Sequence, residues 1–455
     1  MKKILIYSIC ILSLVINFSC NKDWLEQKRD IKLIVPTSLS DMELLLNNGF
    51  DFQFDGRGAT ETSCDDYEFT TEQFNSLYNA FDRDLVVWQV KEFPKFGSLS
   101  WDEWDLAYSQ IQVCNVVLKG LTQIQRKETN KAIYDRIKGT ALFYRSRQFL
   151  NLALSFCKYY NSNTSKMDLG IPIKLTDDIE EHIVRGNLEQ TYQRIILDLK
   201  ESGTLLPSST TSKTQIAKGG AYAMLARTYF YMNNYKEAMN ASDSSLFYHN
   251  FVEDFNNIDP KSDYPFSGKY QEMHLFSLMS KYSPNSITGR IEQSLIDSYA
   301  NTDLRKTVFF KLKNDNKYTF KGSLSTSQLF SGTSTGEVLL IGAECRARLG
   351  DQNGAVKELL KLLSKRYISG TTITIPTQNA RSTLDYILAE RRKELVARGL
   401  RWQDLKRLNQ DNIYAKTLYR KIGNETYSLT PNDPRYIMHI PRYIIDFNKI
   451  EQNQY

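Results

Sequence analysis

The sequence has few of the residues on which much enzyme and metal chemistry depends. Only 4 histidines and 6 cysteines occur among 455 residues. No CxxC pair and no cysteine–histidine cluster with zinc spacing is present. The zinc-protease pattern HExxH and the phosphate-loop pattern GxxxxGK are missing as well. We therefore expect neither an enzyme nor a bound metal or other cofactor.

Long apolar runs and strong charge are also missing. After the N-terminus, no stretch approaches the length of about 18 apolar residues that indicates a membrane span. The formal net charge of +6 is mild and is spread along the chain. Nucleic-acid-binding proteins usually concentrate basic residues on one face or in one run, so this class is not indicated.

The N-terminus has the pattern of a secretory signal. Lys2 and Lys3 precede an apolar stretch from Ile4 to Ile16, which is too short for a membrane helix of about 20 residues. Ser19 is a small residue directly before Cys20. The pattern predicts cleavage before Cys20 and attachment of acyl chains such as palmitate, which anchor a protein stably when two or more are present. An ordinary signal peptide cut elsewhere, leaving Cys20 as a free thiol, is the alternative.

Most of the chain has the apolar periodicity of helices, and two segments form helix pairs with small residues at matching places. In "AKGGAYAMLARTYFYMNNYKEAMNASDSSL", Ala226 and Ala238 flank a turn at Asn233-Asn234. "EVLLIGAECRARLGDQNGAVKELLKLLSKR" repeats this spacing with Ala343 and Ala355. The pattern is typical of tetratricopeptide helix hairpins. Two copies are too few for a free-standing solenoid, so we expect other helices to cover them.

Two aromatic regions, 50–100 and 250–335, lack helical periodicity. Both contain Gly, Pro and polar residues that favour loops. The sequence thus predicts a mainly α-helical protein in which long, ordered loops interrupt the helices.

The segment "STLDYILAERRKELVARGLRWQDLKRLNQ" has the most specific pattern. Ser382 is expected to cap its helix, and Gly399 suits a left-handed residue after its end. Glu390 and Glu394 lie one turn apart, but nearby cations hold both carboxylates ionised, which does not suit a general acid. We therefore predict a structural salt-bridge network at a helix junction. The other residues of this junction motif are Arg391, Arg392, Arg398, Trp402 and Asp404.

Taken in order, these segments resemble the SusD/RagB family of outer-membrane lipoproteins. The resemblance starts at Cys20 and continues through a helix with the pattern "W…Y..I...N..L" from Trp104. It includes "KGTALFYRSRQFLNLA", "GIPIKLT", "KGGAYAMLARTYFYMNNYKEA", "EVLLIGAECRARLGD" and "ERRKELVARGLRWQDLKRL".

The resemblance implies a lipid-anchored, surface-facing helical protein that lies over a SusC-like TonB-dependent transporter. Such proteins are expected to capture oligosaccharides, or peptides in some members, and to pass them to the transporter. The tetratricopeptide part is the expected transporter face, and the irregular loops form the ligand surface. Residues 1–19 would be the signal peptide, 20–205 the N-terminal part and 206–455 the C-terminal part of one compact body.

A glycan site needs flat aromatic faces with hydrogen-bonding groups beside them. Trp104 and Trp402 lie in helical motifs and are expected in the core. The candidates are therefore aromatic residues in the two loop regions, and at least one of the two tryptophans among them is expected to face solvent. They are Trp88, Phe96, Trp101, Tyr264, Tyr270 and Tyr282.

The sequence leaves three binding functions open. A glycan binder should present aromatic rings from both loop regions on one surface. A peptide-binding lid should instead have a wider groove of mixed polarity. A tetratricopeptide interaction scaffold without a nutrient ligand should lack a concave aromatic surface.

Overall fold

The computed structural model describes residues 36–48, 52–93, 103–268, 270–279, 288–324 and 328–454. Cys20, Phe96, Trp101 and Tyr282 lie outside the described residues. The same holds for the predicted signal peptide, 1–19.

The described residues form mainly helices, as predicted, joined by short two-stranded ladders. The helices are α1 (Leu39–Leu46), α2 (Gly58–Ser63), α3 (Thr71–Asn75), α4 (Ala80–Val86), α5 (Glu103–Leu121), α6 (Lys131–Phe156), α7 (Leu188–Leu205), α8 (Lys218–Tyr231), α9 (Tyr235–Tyr248), α10 (Gln293–Asp297), α11 (Arg305–Phe309), α12 (Thr335–Arg348), α13 (Gln352–Leu363), α14 (Ala380–Glu394), α15 (Arg401–Leu408) and α16 (Arg442–Asn448). The strands are β1 (Phe54–Asp55), β2 (Tyr67–Glu68), β3 (Leu169–Pro172), β4 (Arg185–Asn187), β5 (Leu278–Met279), β6 (Arg290–Ile291), β7 (Phe310–Leu312), β8 (Tyr318–Phe320), β9 (Leu418–Ile422) and β10 (Glu425–Leu429).

The long helices form a continuous array in which each packs against the next. The order is α5, α6, α7, α8, α9, α12, α13 and α14. The predicted hairpins are its centre: α8 pairs with α9, and α12 pairs with α13. The second loop region separates α9 from α12 in sequence, but the two helices pack against each other. The chain therefore returns to the same array after this loop region.

Small residues and left-handed turns shape the two hairpins as the sequence predicted. Ala226, Ala238 and Ala355 are fully buried between helices, since a larger side chain would separate the helix axes. Asn233 (φ +57°) and Gly350 (φ +88°) supply the left-handed backbone at the turns. Other helices flank these hairpins, which confirms the expected cover.

The loop regions are ordered by short elements rather than by long helices. The parallel pair β1–β5 and the antiparallel pair β2–β6 both join the first loop region to the second. Tyr67 lies opposite Ile291, and Glu68 lies opposite Arg290. Residues more than 200 positions apart in sequence therefore lie side by side.

Helix ends follow local chemistry, with two corrections. Asn187 caps α7, since its Oδ1 accepts a hydrogen bond from Gln190 N at 2.8 Å. Ser382, however, is not the cap of α14. Asn379 holds that place, and Ser382 is the reciprocal partner three residues later. The helix also ends at Glu394, so the left-handed Gly399 (φ +69°) follows a further turn.

Both tryptophans predicted for the core are buried there. Trp104 packs edge-on against Phe156, with ring centroids 5.1 Å apart. Trp402 donates a hydrogen bond from Nε1 to Tyr436 O at 3.1 Å and packs on the same tyrosine ring. Burying a ring while satisfying its polar N–H is the usual arrangement for core tryptophan.

Candidate functional site

The signature residues Glu390 and Glu394 lie in a buried ionic network with cations from other segments. Arg305 donates to Glu390 Oε2 at 2.5 Å, and Arg366 donates to Glu394 Oε1 at 2.8 Å. Arg366 also reaches Glu272 Oε1 at 2.6 Å, so the network extends to the second loop region. Each of these carboxylates therefore pairs with at least one arginine.

The remaining signature residues join this network to neighbouring elements. Arg391 donates from Nε to Asp404 Oδ2 at 2.9 Å, which ties α14 to α15. Arg392 pairs with Asp66 at 2.8 Å, and Arg398 donates to the Tyr270 hydroxyl at 3.2 Å. The signature therefore holds the helical array and both loop regions together.

The pattern Gly332-Thr333-Ser334-Thr335-Gly336 matches the serine-hydrolase spacing GxSxG. A nucleophilic serine of that kind sits on a strained turn with an exposed hydroxyl. Ser334 instead has an extended backbone (φ −131°), is buried and caps α12 through Glu337 N at 3.4 Å. The geometry is that of a helix cap.

A groove of about 350 Å³ lies where the two loop regions meet the β9–β10 hairpin. The residues that line it are Asp65, Tyr67, Glu68, Phe69, Thr70, Gln73, Trp88, Arg290, Glu292, Lys317, Tyr419, Arg420, Lys421 and Ile422. The β2–β6 pair forms part of its wall, because Tyr67, Glu68 and Arg290 all line the cavity. We call this cavity the loop groove.

Trp88 lies in the wall of the loop groove, but its ring is not open to solvent. It is only 4% exposed, and its Nε1 donates to Ser63 O at 2.8 Å. Its φ of +58° is rare for a bulky residue and turns the chain after α4. The expectation of a solvent-facing Trp88 is therefore not met, and its contact with a ligand remains a prediction.

The other described aromatic candidates lie apart from this groove. Tyr270 is buried, and its hydroxyl donates to Glu272 Oε2 at 3.2 Å within the ionic network. Tyr264 is exposed but does not line the groove. The structure thus brings one of the described candidates to the groove and leaves the other two elsewhere.

An exposed aromatic residue of the loop groove, Tyr419, was not among the sequence candidates. It lies on β9 and is 70% exposed. Burial alternates along β9, so Tyr419 and Lys421 face outward while Arg420 faces inward. The stretch "LYRKIGNETYSL", with Gly423-Asn424 between two alternating runs, is a β-hairpin signal that could have indicated this element.

Charged residues of both signs line the loop groove. Lys317 pairs with Glu68 at 2.9 Å, and Arg290 pairs with Asp315 at 2.8 Å. Asp65 accepts from Arg401 at 2.6 Å. Although burial favours its neutral form, Arg401, Arg392 and Lys416 hold the pKa of Asp65 well below its usual range. The described lining therefore takes its aromatic rings from the first loop region and β9 and only charged groups from the second loop region, so the aromatic rings expected from both loop regions are not met.

A second cavity, of about 680 Å³, lies on the tetratricopeptide hairpins between α9, α12 and α13. Phe247 lies on its rim and is 81% exposed. Leu246 and Leu339 line its apolar part, and Lys357 and Lys361 line its polar part. We call this surface the hairpin face.

Within the described ranges, no three His, Cys, Asp or Glu side chains gather into a metal-binding group. No helix in the described part of the chain is long and apolar enough to cross a bilayer.

Comparison with models of protein families shows to which family the chain belongs. The family model described as "Starch-binding associating with outer membrane" matches residues 23–230. The SusD family model matches residues 205–450, which is more than half of the chain. The chain therefore belongs to the SusD family. Among curated proteins, none matches its sequence.

Solved structures share the fold at low sequence identity. A SusD superfamily protein from Bacteroides thetaiotaomicron VPI-5482 has a TM-score of 0.72 at 20% identity, covering 92% of this chain and 100% of that chain. A SusD superfamily protein from Bacteroides vulgatus ATCC 8482 has a TM-score of 0.72 at 21% identity, covering 92% and 99%. A SusD-like carbohydrate binding protein from the same organism has a TM-score of 0.69 at 19% identity, covering 91% and 97%. These similarities establish the fold.

Proposed function

We propose that this protein is a surface-exposed outer-membrane lipoprotein that captures oligosaccharides and passes them, unmodified, to a SusC-like TonB-dependent transporter. The observation that carries the proposal is the loop groove, in which both loop regions and the β9–β10 hairpin surround one concave surface. Membership of the SusD family supports it, as does structural similarity to a SusD-like carbohydrate binding protein.

The chemistry of the loop groove suits a sugar ligand. Tyr419 offers an exposed ring against which the C–H face of a sugar can pack. Gln73 and Thr70 line the same groove and can exchange hydrogen bonds with sugar hydroxyls. Apolar contact with a few placed polar groups is the usual composition of a small-molecule site.

The hairpin face is the proposed contact with the transporter. Phe247 is a large aromatic side chain left exposed beside a cavity, which is the kind of anchor that protein interfaces use. The hairpin face and the loop groove share no lining residue, so ligand and transporter would use separate surfaces.

The proposed lipid anchor is Cys20. The proposal is supported by α1, the first described helix, because it already packs on the helical body. It packs against α5 and α6, and Glu43 of α1 pairs with Arg136 at 2.5 Å. An anchored chain would then keep the binding body close to the membrane.

The test is purification of the full-length protein from native outer membranes in mild detergent, with identification of the proteins that accompany it. We expect a stoichiometric TonB-dependent transporter and intact-mass evidence of acyl chains at Cys20. A protein that is isolated alone, or one that binds peptides but no glycan in a parallel screen, would contradict the proposal.

A further inference from the structure

Arg420 is a buried cation without a direct carboxylate partner in the described structure. It is 7% exposed and donates to two backbone carbonyls, Val86 O at 2.5 Å and Cys64 O. Its Cζ lies 5.1 Å from the centroid of the Trp88 ring and 5.9 Å from that of Phe69. The guanidinium therefore lies in the aromatic wall of the loop groove.

The groups around Arg420 balance the positive charge of its guanidinium only in part. A guanidinium has five N–H donors, and the two carbonyls accept from only two of its nitrogens. Asp65 is a nearby carboxylate, but it is already engaged by Arg401 and Lys416. Burial lowers the pKa of Arg420 to about 10, in keeping with a cation that lacks an ion-pair partner.

The next residue along the strand adds a second cation. Lys421 is exposed, lines the loop groove, and forms no ion pair with any described residue. Two further cations, Arg290 and Lys317, form ion pairs whose carboxylates are more than a third exposed. Surface pairs of this kind are weak, so an incoming anion can compete for them.

From this arrangement we propose that the loop groove selects oligosaccharides that bear an anionic group, a carboxylate or a sulfate ester, which Arg420 binds directly and Lys421, on the opposite face of β9, attracts electrostatically. This inference rests on the proposed glycan-binding function and names its ligand class. A neutral sugar could use the remaining N–H donors but would leave the charge uncompensated. An anionic sugar supplies both an acceptor and the missing charge, and charge-assisted hydrogen bonds are stronger than neutral ones.

The test is calorimetric titration of the purified protein with matched oligosaccharides. The probes are oligogalacturonates, their carboxyl-reduced neutral counterparts, sulfated galactan oligosaccharides and their desulfated counterparts. An acidic peptide is added as a competing class. We expect an acidic probe to bind at least 10-fold more tightly than its neutral counterpart, and we expect high salt to reduce this difference. The two acidic series separate a carboxylate from a sulfate as the recognised group.

Three variants assign the effect to the groove. Lys421 is exposed, so Lys421→Gln should keep the fold while weakening binding of the acidic probe about 3-fold, more than binding of the neutral probe. Arg420→Gln should abolish the preference for the acidic probe, with thermal unfolding used to confirm that the variant is folded. Lys131→Gln, on the first turn of α6 and away from the groove lining, is the matched control and should change neither affinity.

The outcomes separate this inference from the proposed function. If neutral probes bind as tightly as acidic ones, glycan capture stands and selection for an anion is wrong. If only the acidic peptide binds, or no saccharide binds, both proposals are overturned. If both Lys421→Gln and Arg420→Gln keep the preference for the acidic probe, the assignment of anion recognition to the loop groove is wrong.

Discussion

The guanidinium carbon of Arg420 lies 5.1 Å from the centroid of the Trp88 ring, although the two residues lie in distant parts of the sequence. This contact joins the first loop region to the β9–β10 hairpin in the wall of one groove. A cation over an aromatic face is stabilised by the ring quadrupole. The contact explains why Trp88 is part of the site wall without being open to solvent.

Tyr419 should contribute directly to ligand binding. Tyr419→Ala removes an exposed ring from the loop groove, so we expect the affinity for a bound oligosaccharide to fall about 5-fold, or roughly 1 kcal/mol. Isothermal titration measures the change. Tyr78→Ala removes an even more exposed tyrosine that does not line the groove, and this variant should bind like the unaltered protein. Equal losses in both variants would disprove the role of Tyr419.

Phe247 should be important for the complex with the transporter. Phe247→Glu places a charge on the hairpin face, and loss of a central aromatic anchor typically weakens an interface about 10-fold or more. The amount of transporter that co-purifies from outer membranes gives the readout. Phe447→Glu, at another exposed phenylalanine on α16, serves as the control. If the Phe247→Glu variant co-purifies with as much transporter as the unaltered protein, the hairpin face is not the contact with the transporter.

Glu394 should be essential to stability rather than to binding chemistry. Glu394→Ala leaves Arg366 and Arg305 buried without one of their carboxylates. Breaking a buried ion pair in this way costs about 3–5 kcal/mol, which denaturant unfolding would detect. Glu128→Ala removes an exposed carboxylate paired only with Lys131 and should leave the unfolding midpoint unchanged. A stable Glu394→Ala variant would show that the network does not hold this junction.

Glu103 should make the folded state sensitive to pH. Burial raises its pKa from 4.5 to about 7, while its Oε1 accepts from Ala59 N at 2.6 Å. A carboxyl group with a raised pKa in the folded state contributes most below its unfolded pKa. That contribution is lost as pH rises through the folded pKa, here between pH 4.5 and about 7.

The variant Glu103→Gln isolates this effect because glutamine keeps the shape and the acceptor but cannot ionise. We expect the stability of Glu103→Gln relative to the unaltered protein to increase from pH 4.5 to 7, by on the order of 3 kcal/mol. Urea unfolding at several pH values measures this difference. A difference that stays constant across the range would show that Glu103 does not titrate as its burial indicates.

The sequence by itself determined the helical elements and much of their local geometry. Ala226 and Ala238 indicated close helix packing, and Gly399 indicated a left-handed residue. These features follow from contacts within a few residues, so a local pattern is sufficient to predict them. The sequence led us to expect an ionic role for Glu390 and Glu394 from cations near them in sequence, but Arg305 and Arg366, which pair with them, come from segments outside that helix.

Only the tertiary structure decided where the loop groove lies and which aromatic residues line it. Tyr67 meets Ile291 through a two-residue ladder, a pairing too short to leave a sequence pattern. Trp88 is buried because a carbonyl from α2 accepts its N–H and Arg420 covers its ring, whereas Tyr419 stays exposed on the outer side of β9. A sequence shows that a side chain is aromatic, but its exposure depends on partners brought together from distant segments by folding.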